Sequence, residues 1–159
     1  MKVEYISPFA EAALAVFETL INERPSRGDL KVLPHMFTGQ QINVMCGVTG
    51  DIEGLVIYGM SVMTADKLAS KMIGTHVVTF DALASSAIAE LGNMISGHSA
   101  TALVGLGYPC DITPPTIIKG TKVKVSTYDQ PALVIPLDFA EIGRFEISVS
   151  LRERPRVAA

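Results

Sequence analysis

The chain has 159 residues, 48% of them hydrophobic, and a formal net charge of −3. That is enough apolar material for one sizeable core and too little length to require two, so a single domain over residues 1–159 is expected. Basic residues cluster no further than Arg152, Arg154 and Arg156, which argues against nucleic acid as a partner. No apolar stretch approaches the roughly 18 residues that a membrane span needs.

From the N-terminus, Ser7 and Pro8 followed by Phe9, Ala13, Leu14, Phe17 and Leu20 predict an amphipathic helix capped at Ser7 and ending near Asn22. Glu23 to Gly39, rich in Pro, Arg and Gly, reads as a loop with one short strand around Leu30 to Leu33. The β-branched runs Ile42 to Val48 and Leu55 to Val62 flank Thr49-Gly50-Asp51-Ile52-Glu53-Gly54, and the whole reads as an antiparallel hairpin. A short helix is expected from Thr64 to about Ile73, stopped by Gly74. A longer, alanine-rich helix is expected from about Phe80 to Leu106, closing at Gly107. Its glycines, Gly92, Gly97 and Gly105, each cost about 1 kcal/mol relative to Ala and so need a reason. Four further strands, Pro114 to Ile118, Thr121 to Thr127, Leu133 to Asp138 and Phe145 to Leu151, are divided by Lys119-Gly120 and Tyr128-Asp129-Gln130-Pro131. The fold class is therefore α+β, a largely antiparallel sheet carrying an N-terminal, a short and a long helix.

The cysteines Cys46 and Cys110 lie in apolar or strand-like surroundings with no signal-peptide pattern ahead of them. They read as reduced core thiols of a cytoplasmic protein. His35, His76 and His98 are too scattered for a zinc site, and His98 is expected half-buried and hydrogen-bonded. Ser85 and Ser86 lack the Gly-x-Ser-x-Gly elbow of a nucleophile, and Gly105-Leu106-Gly107 lacks the strand and third glycine of a dinucleotide fingerprint.

The long helix carries the chemistry. With Glu90 at 0° and about 100° per residue, Ser86, Asn93 and Gly97 fall at about 320°, 300° and 340°, one narrow face. Ile88, Leu91, Ile95 and Leu106, with Ala102, fall at about 100° to 160° and should pack on the sheet. Glu90 and Asn93 would then point outward among short side chains, where another backbone could approach. A carboxylate and an amide on a wet face are commonly mere solvation. Asn, however, is a poor helix former, up to about 0.7 kcal/mol below Ala, and has no cap to make in mid-helix.

The segment Ser86-Ala87-Ile88-Ala89-Glu90-Leu91-Gly92-Asn93 resembles the signature of the CheC, CheX and FliY phosphatases: Asp or Ser, three residues, Glu, two residues, Asn, and Pro about two dozen positions on. Pro115 fills that last place, with Pro114 beside it. The similarity to the CheX branch extends through Gly47-Val48-Thr49-Gly50, Ile52-Glu53-Gly54 and Asp111-Ile112-Thr113-Pro114-Pro115-Thr116, from about Asn43 to Ser150. The resemblance implies an enzyme that hydrolyses the aspartyl phosphate of a CheY-like response regulator in bacterial chemotaxis. Asn93 would position the attacking water and Glu90 would contact the regulator's active-site lysine, with Ser86, Gly97 and Pro115 contributing partner contacts. It implies no cofactor of the chain's own, the Mg2+ belonging to the receiver domain.

It also implies a homodimer with one motif per chain. Glu18 and Asn22 in the first helix have the wrong spacing for a second motif, and an edge strand after Pro115 would form the interface. The alternative is a receiver-binding adaptor or flagellar-switch module of the same fold that does not hydrolyse phosphate.

Overall fold

The computed structural model describes residues 1–127 and 130–155. Among these residues ten strands and three helices follow in the order α1 (Val3–Ile21), β1 (Ser26–Arg27), β2 (Lys31–Leu33), β3 (Met36–Thr38), β4 (Ile42–Gly50), β5 (Ile52–Met60), α2 (Val62–Ile73), α3 (Ala82–Gly105), β6 (Cys110–Ile112), β7 (Thr116–Lys119), β8 (Lys124–Ser126), β9 (Ala132–Phe139) and β10 (Gly143–Glu153). The main sheet runs β1-β9-β10-β5-β4-β6, with β2 also on β9 and β7 also on β4, while β3 and β8 form a separate ribbon. Every pairing is antiparallel, as expected for an α+β chain whose strands come in runs.

Alternation along the central strands sorts their side chains onto two faces. Val44, Tyr58 and Ile147 share one register line and Cys46, Val56 and Val149 another, and these six belong to the core with buried residues of all three helices. Phe17 of α1 makes edge contacts with Phe139 and Phe145 at 4.9 and 5.1 Å, locking that helix over β9 and β10. Such pairs add about 0.5–1.5 kcal/mol each beyond their burial. On the opposite face Ser126 of β8, with Thr127 and Gln130 after it, borders a cavity of about 550 Å3 that Leu55, Ser150 and Arg152 also line.

Several boundaries differ from the sequence reading. Helix α1 starts at Val3, with Lys2 at the cap position, no side-chain cap bond, and Pro8 inside the helix. Tertiary anchors pull the start forward: Tyr5 and Ile6 are buried, and Glu153 of β10 accepts from both Lys2 Nζ and Tyr5 Oη at 2.8 Å. Helix α2 is capped by Ser61, whose hydroxyl accepts from Thr64 N at 3.1 Å, so Thr64 is inside the first turn.

The Glu23–Gly39 loop contains three short strands, not one, because β9 and β8 supply partners distant in sequence. The hairpin strands extend to Gly50 and Ile52, leaving only Asp51 between them. Cys110–Ile112 forms a strand that the sequence reading lacked, and the strand expected over Thr121 to Thr127 shrinks to Lys124–Ser126. Tyr128 and Asp129 of the expected turn, and Arg156 of the basic tail, lie outside the described residues.

Candidate functional site

Helix α3 begins at Asp81, whose carboxylate accepts from Ala84 N at 2.9 Å, a standard way to satisfy one of the orphan donors of a first turn. Its buried face is Ala84, Ile88, Leu91, Gly92, Ile95, Ser96, Ser99 and Leu103. Leu106 and Ala102, expected on that face, are exposed. Leu106 is the C-cap and has left helical geometry, so the wheel no longer applies to it.

Gly92 has a plain structural reason. A Cβ there would stand 2.7 Å from Val44 Cγ1 and 3.2 Å from Tyr58 Cδ2, so the glycine lets the helix backbone lie directly on β4 and β5. One turn on, the Tyr58 hydroxyl and Ser96 Oγ hydrogen-bond at 2.6 Å in the interior. Burial pushes the Tyr58 phenol far above its ordinary pKa, so it stays a neutral hydrogen-bonding group. These contacts fix the rotation of α3 about its axis and thereby aim the opposite face.

That opposite face holds the motif. Ser86 and Glu90 are exposed, Asn93 and Gly97 half-buried. Among the described residues neither Glu90 nor Asn93 is engaged in a side-chain hydrogen bond or ion pair, so their capacity is unspent. Their i, i+3 spacing sets the two Cβ atoms about 5–6 Å apart. Gly97 is unlike Gly92: the nearest atom to a Cβ there is Ile112 Cδ1, at 4.0 Å. Its lack of a side chain leaves the surface low without serving the packing.

Asn93 faces the flank of α3 along which β6 and β7 run, where the Cys110 thiol approaches the Ala100 carbonyl oxygen at 3.9 Å. These two strands pair successive parts of β4, Val48 to Gly50 and Ile42 to Met45, and Thr113-Pro114-Pro115 bridges the gap. Thr113 closes it: its N–H donates to Gly47 O at 2.9 Å and its hydroxyl accepts from Gly47 N at 2.8 Å. Threonine ahead of two residues without N–H groups thus completes the ladder, a supporting role that the sequence reading missed.

Pro115 immediately precedes β7, whose Ile117 pairs with Val44. Val44 in turn underlies Gly92, so β7 pairs with the strand on which α3 lies. Pro115 is half-buried and Pro114 exposed. The structure therefore brings Ser86, Glu90, Asn93 and Gly97 onto one face of α3, while Pro115 stands immediately before β7 on the neighbouring part of the sheet.

The remaining candidates fall away from this face or lack chemistry. His98 is exposed and makes no side-chain hydrogen bond among the described residues, correcting the half-buried, bonded reading. It falls at about 80° on the wheel, beyond the edge of the packed stripe. Both cysteines are free; Cys46 is buried and Cys110 half-buried, and burial pushes both thiols above their usual range. Among the described residues no group of three or more His, Cys, Asp or Glu could hold a metal ion, and no helix is long and apolar enough to cross a membrane.

The sequence profile of the family described as "Chemotaxis phosphatase CheX" matches residues 42–138, a span containing α3, the prolines and the central hairpin. The chain belongs to the CheX family. The CheY-P phosphatase CheX of Thermotoga maritima is 34% identical over 142 residues, which is 87% of this chain and 91% of that protein. Among solved structures, the CheX–CheY–BeF3–Mg2+ complex from Borrelia burgdorferi contains a chain 30% identical to this one, with a TM-score of 0.82 over 96% of this chain and 100% of that one. The chemotaxis protein CheX from Desulfovibrio desulfuricans superimposes with a TM-score of 0.82 over 95% of this chain and 99% of that one. At 24% identity it speaks for the fold alone. The three-helix, antiparallel α+β architecture is thus that of the CheX family.

Proposed function

We propose that the chain is a phosphatase of a phosphorylated CheY-type response regulator, with Asn93 orienting the attacking water and Glu90 pairing with the regulator's active-site lysine. One observation carries the assignment of roles. Glu90 and Asn93, without side-chain partners among the described residues, share the solvent face of a helix that otherwise contains no Asp, Glu, Lys or Arg. Phosphoryl transfer demands little covalent help, so positioning and charge complementarity can supply most of the acceleration. The Asn93 carbonyl can accept from the water and its NH2 can donate to a phosphoryl oxygen, without the repulsion a second carboxylate would bring. The magnesium ion of the reaction belongs to the receiver domain, and this chain's part is to insert and align.

The test is phosphate release from phosphorylated receivers of the CheY type. Catalytic amounts of the chain should accelerate release, and Asn93→Ala should lower turnover by on the order of 10²-fold or more while leaving affinity for a beryllofluoride-activated receiver near wild type. Full activity in Asn93→Ala would overturn the assignment and favour a binding role without hydrolysis.

A homodimer and a cytoplasmic location accompany this reading. Of the strands after Pro115, β7 and β8 have an open edge for the expected interface, and β7 lies beside the proline and the catalytic helix. The opposite edge offers a second candidate, because among the described residues β2 pairs only with β9 and its neighbourhood exposes Leu30, Val32 and Met36, 46%, 68% and 58% accessible. Unpaired edge groups next to exposed apolar side chains favour association. Light scattering at micromolar concentration should give the mass of a dimer, and Val32→Lys should shift it to monomer with phosphatase activity retained.

A further inference from the structure

The solvent face of α3 extends well past the two motif residues. Leu83 and Thr101 fall at about 20° on the Glu90 wheel and Val104 at about 320°, within the same arc of about 80° as Ser86, Glu90, Asn93 and Gly97. Leu83 and Val104 are 62% and 50% exposed. An exposed helix face is ordinarily laced with charge, yet this 24-residue helix has Glu90 as its single Asp, Glu, Lys or Arg. Apart from Glu90, its solvent side is small or uncharged between two large apolar residues. At about 1.5 Å per residue these stand about 31 Å apart, with Asn93 close to the midpoint.

That length matches a specific docking footprint. An interface of ordinary size buries about 800 Å2 per partner, a patch about 32 Å across. A domain of about 100 residues has a radius of gyration of about 13 Å and hence a diameter close to 33 Å. One receiver centred on Asn93 therefore reaches both ends of the face.

Resting on the phosphatase reading above, we propose that Leu83 and Val104 are apolar anchors at the two ends of the receiver-docking face, setting which receivers bind while taking no part in the chemistry. They lie about 15 Å along the helix from Asn93, too far to touch the phosphoryl group. The contact they make is the same in the ground and transition states, which is uniform binding. The central pair reads features that any phosphorylated receiver shares, its phosphate and its lysine. The ends meet the receiver's outer surface, where receivers differ.

The experiment measures steady-state kinetics of Leu83→Ala, Val104→Ala and the double variant against the receiver that the wild-type protein dephosphorylates fastest in a panel of phosphorylated CheY-type receivers. Asn93→Ala runs in parallel. Each single variant should raise KM about threefold or more and the double variant about tenfold, with kcat unchanged and the ranking of receivers altered. Folding is checked by thermal melts; both side chains are exposed, and alanine is the best helix former. A wild-type KM in either single variant overturns the two-ended face, and a fall in kcat at unchanged KM overturns the anchoring role. If Asn93→Ala abolishes turnover while the end variants behave as wild type, the phosphatase reading stands and only this proposal fails. If Asn93→Ala is fully active, it is the underlying reading that fails.

Discussion

Replacing Gly97 by alanine should make the protein more stable and less able to engage its receiver. A mid-helix Gly→Ala substitution contributes about 0.8–1.0 kcal/mol through backbone entropy alone. The new methyl would meet nothing closer than Ile112 Cδ1 at 4.0 Å, an ordinary contact, so no packing cost offsets that gain. For a domain of this size the melting temperature should rise by about 2–4 °C. The same change at Gly92 serves as the comparison. There the methyl would lie 2.7 Å from Val44 Cγ1 under the Tyr58 ring, and overpacking of about 1–3 kcal/mol outweighs the helix-propensity gain. Gly92→Ala should therefore melt below wild type. Differential scanning calorimetry of the two variants, with titration of a beryllofluoride-activated receiver into each, separates the terms. Gly97→Ala should weaken receiver binding by about threefold to tenfold, because a methyl raises a surface that the partner's backbone must approach. A lower melting temperature in Gly97→Ala would refute the description of this face as unpacked, and unchanged affinity would remove Gly97 from the docking surface.

Glu90→Ala should weaken receiver affinity and turnover together, since a carboxylate paired with the receiver's lysine both docks and aligns; parallel calorimetric titration and phosphate-release assays would show it. Tyr58→Phe should destabilise the fold by about 1–2 kcal/mol in urea denaturation, because the buried Ser96 hydroxyl loses its 2.6 Å partner while the ring volume is kept. Thr113→Val, which keeps the shape but removes the hydroxyl that accepts from Gly47 N, should lower stability by about 1 kcal/mol and loosen the Pro114-Pro115 segment, seen as faster amide exchange at Gly47.

Periodicity alone placed α2 and α3 within about two residues, because their apolar spacing and stop signals are local features. It also set Glu90, Asn93, Ser86 and Gly97 on one face, since a helix of 3.6 residues per turn allows no other arrangement. The family and its signature were likewise readable, from Ser86 to Asn93 and on to the paired prolines. The short strands β1, β2, β3 and β6 were mostly not. Each is held by a strand far away in sequence, and two or three residues carry no period of their own.

Other features were set by packing at long range. Helix α1 starts at Val3 and not at Ser7 because Glu153, at the other end of the chain, accepts from Lys2 and Tyr5. Gly92 and Gly97 lie about 140° apart around one helix, and periodicity separates their faces, but only the tertiary structure shows why the first must be glycine. Val44 and Tyr58 crowd the first, whereas nothing lies closer to the second than Ile112 Cδ1 at 4.0 Å. Which side of a helix is buried follows from where its apolar residues fall. How closely its backbone may approach a sheet, and which neighbour lies along its edge, depends on side chains that the chain brings together only by folding.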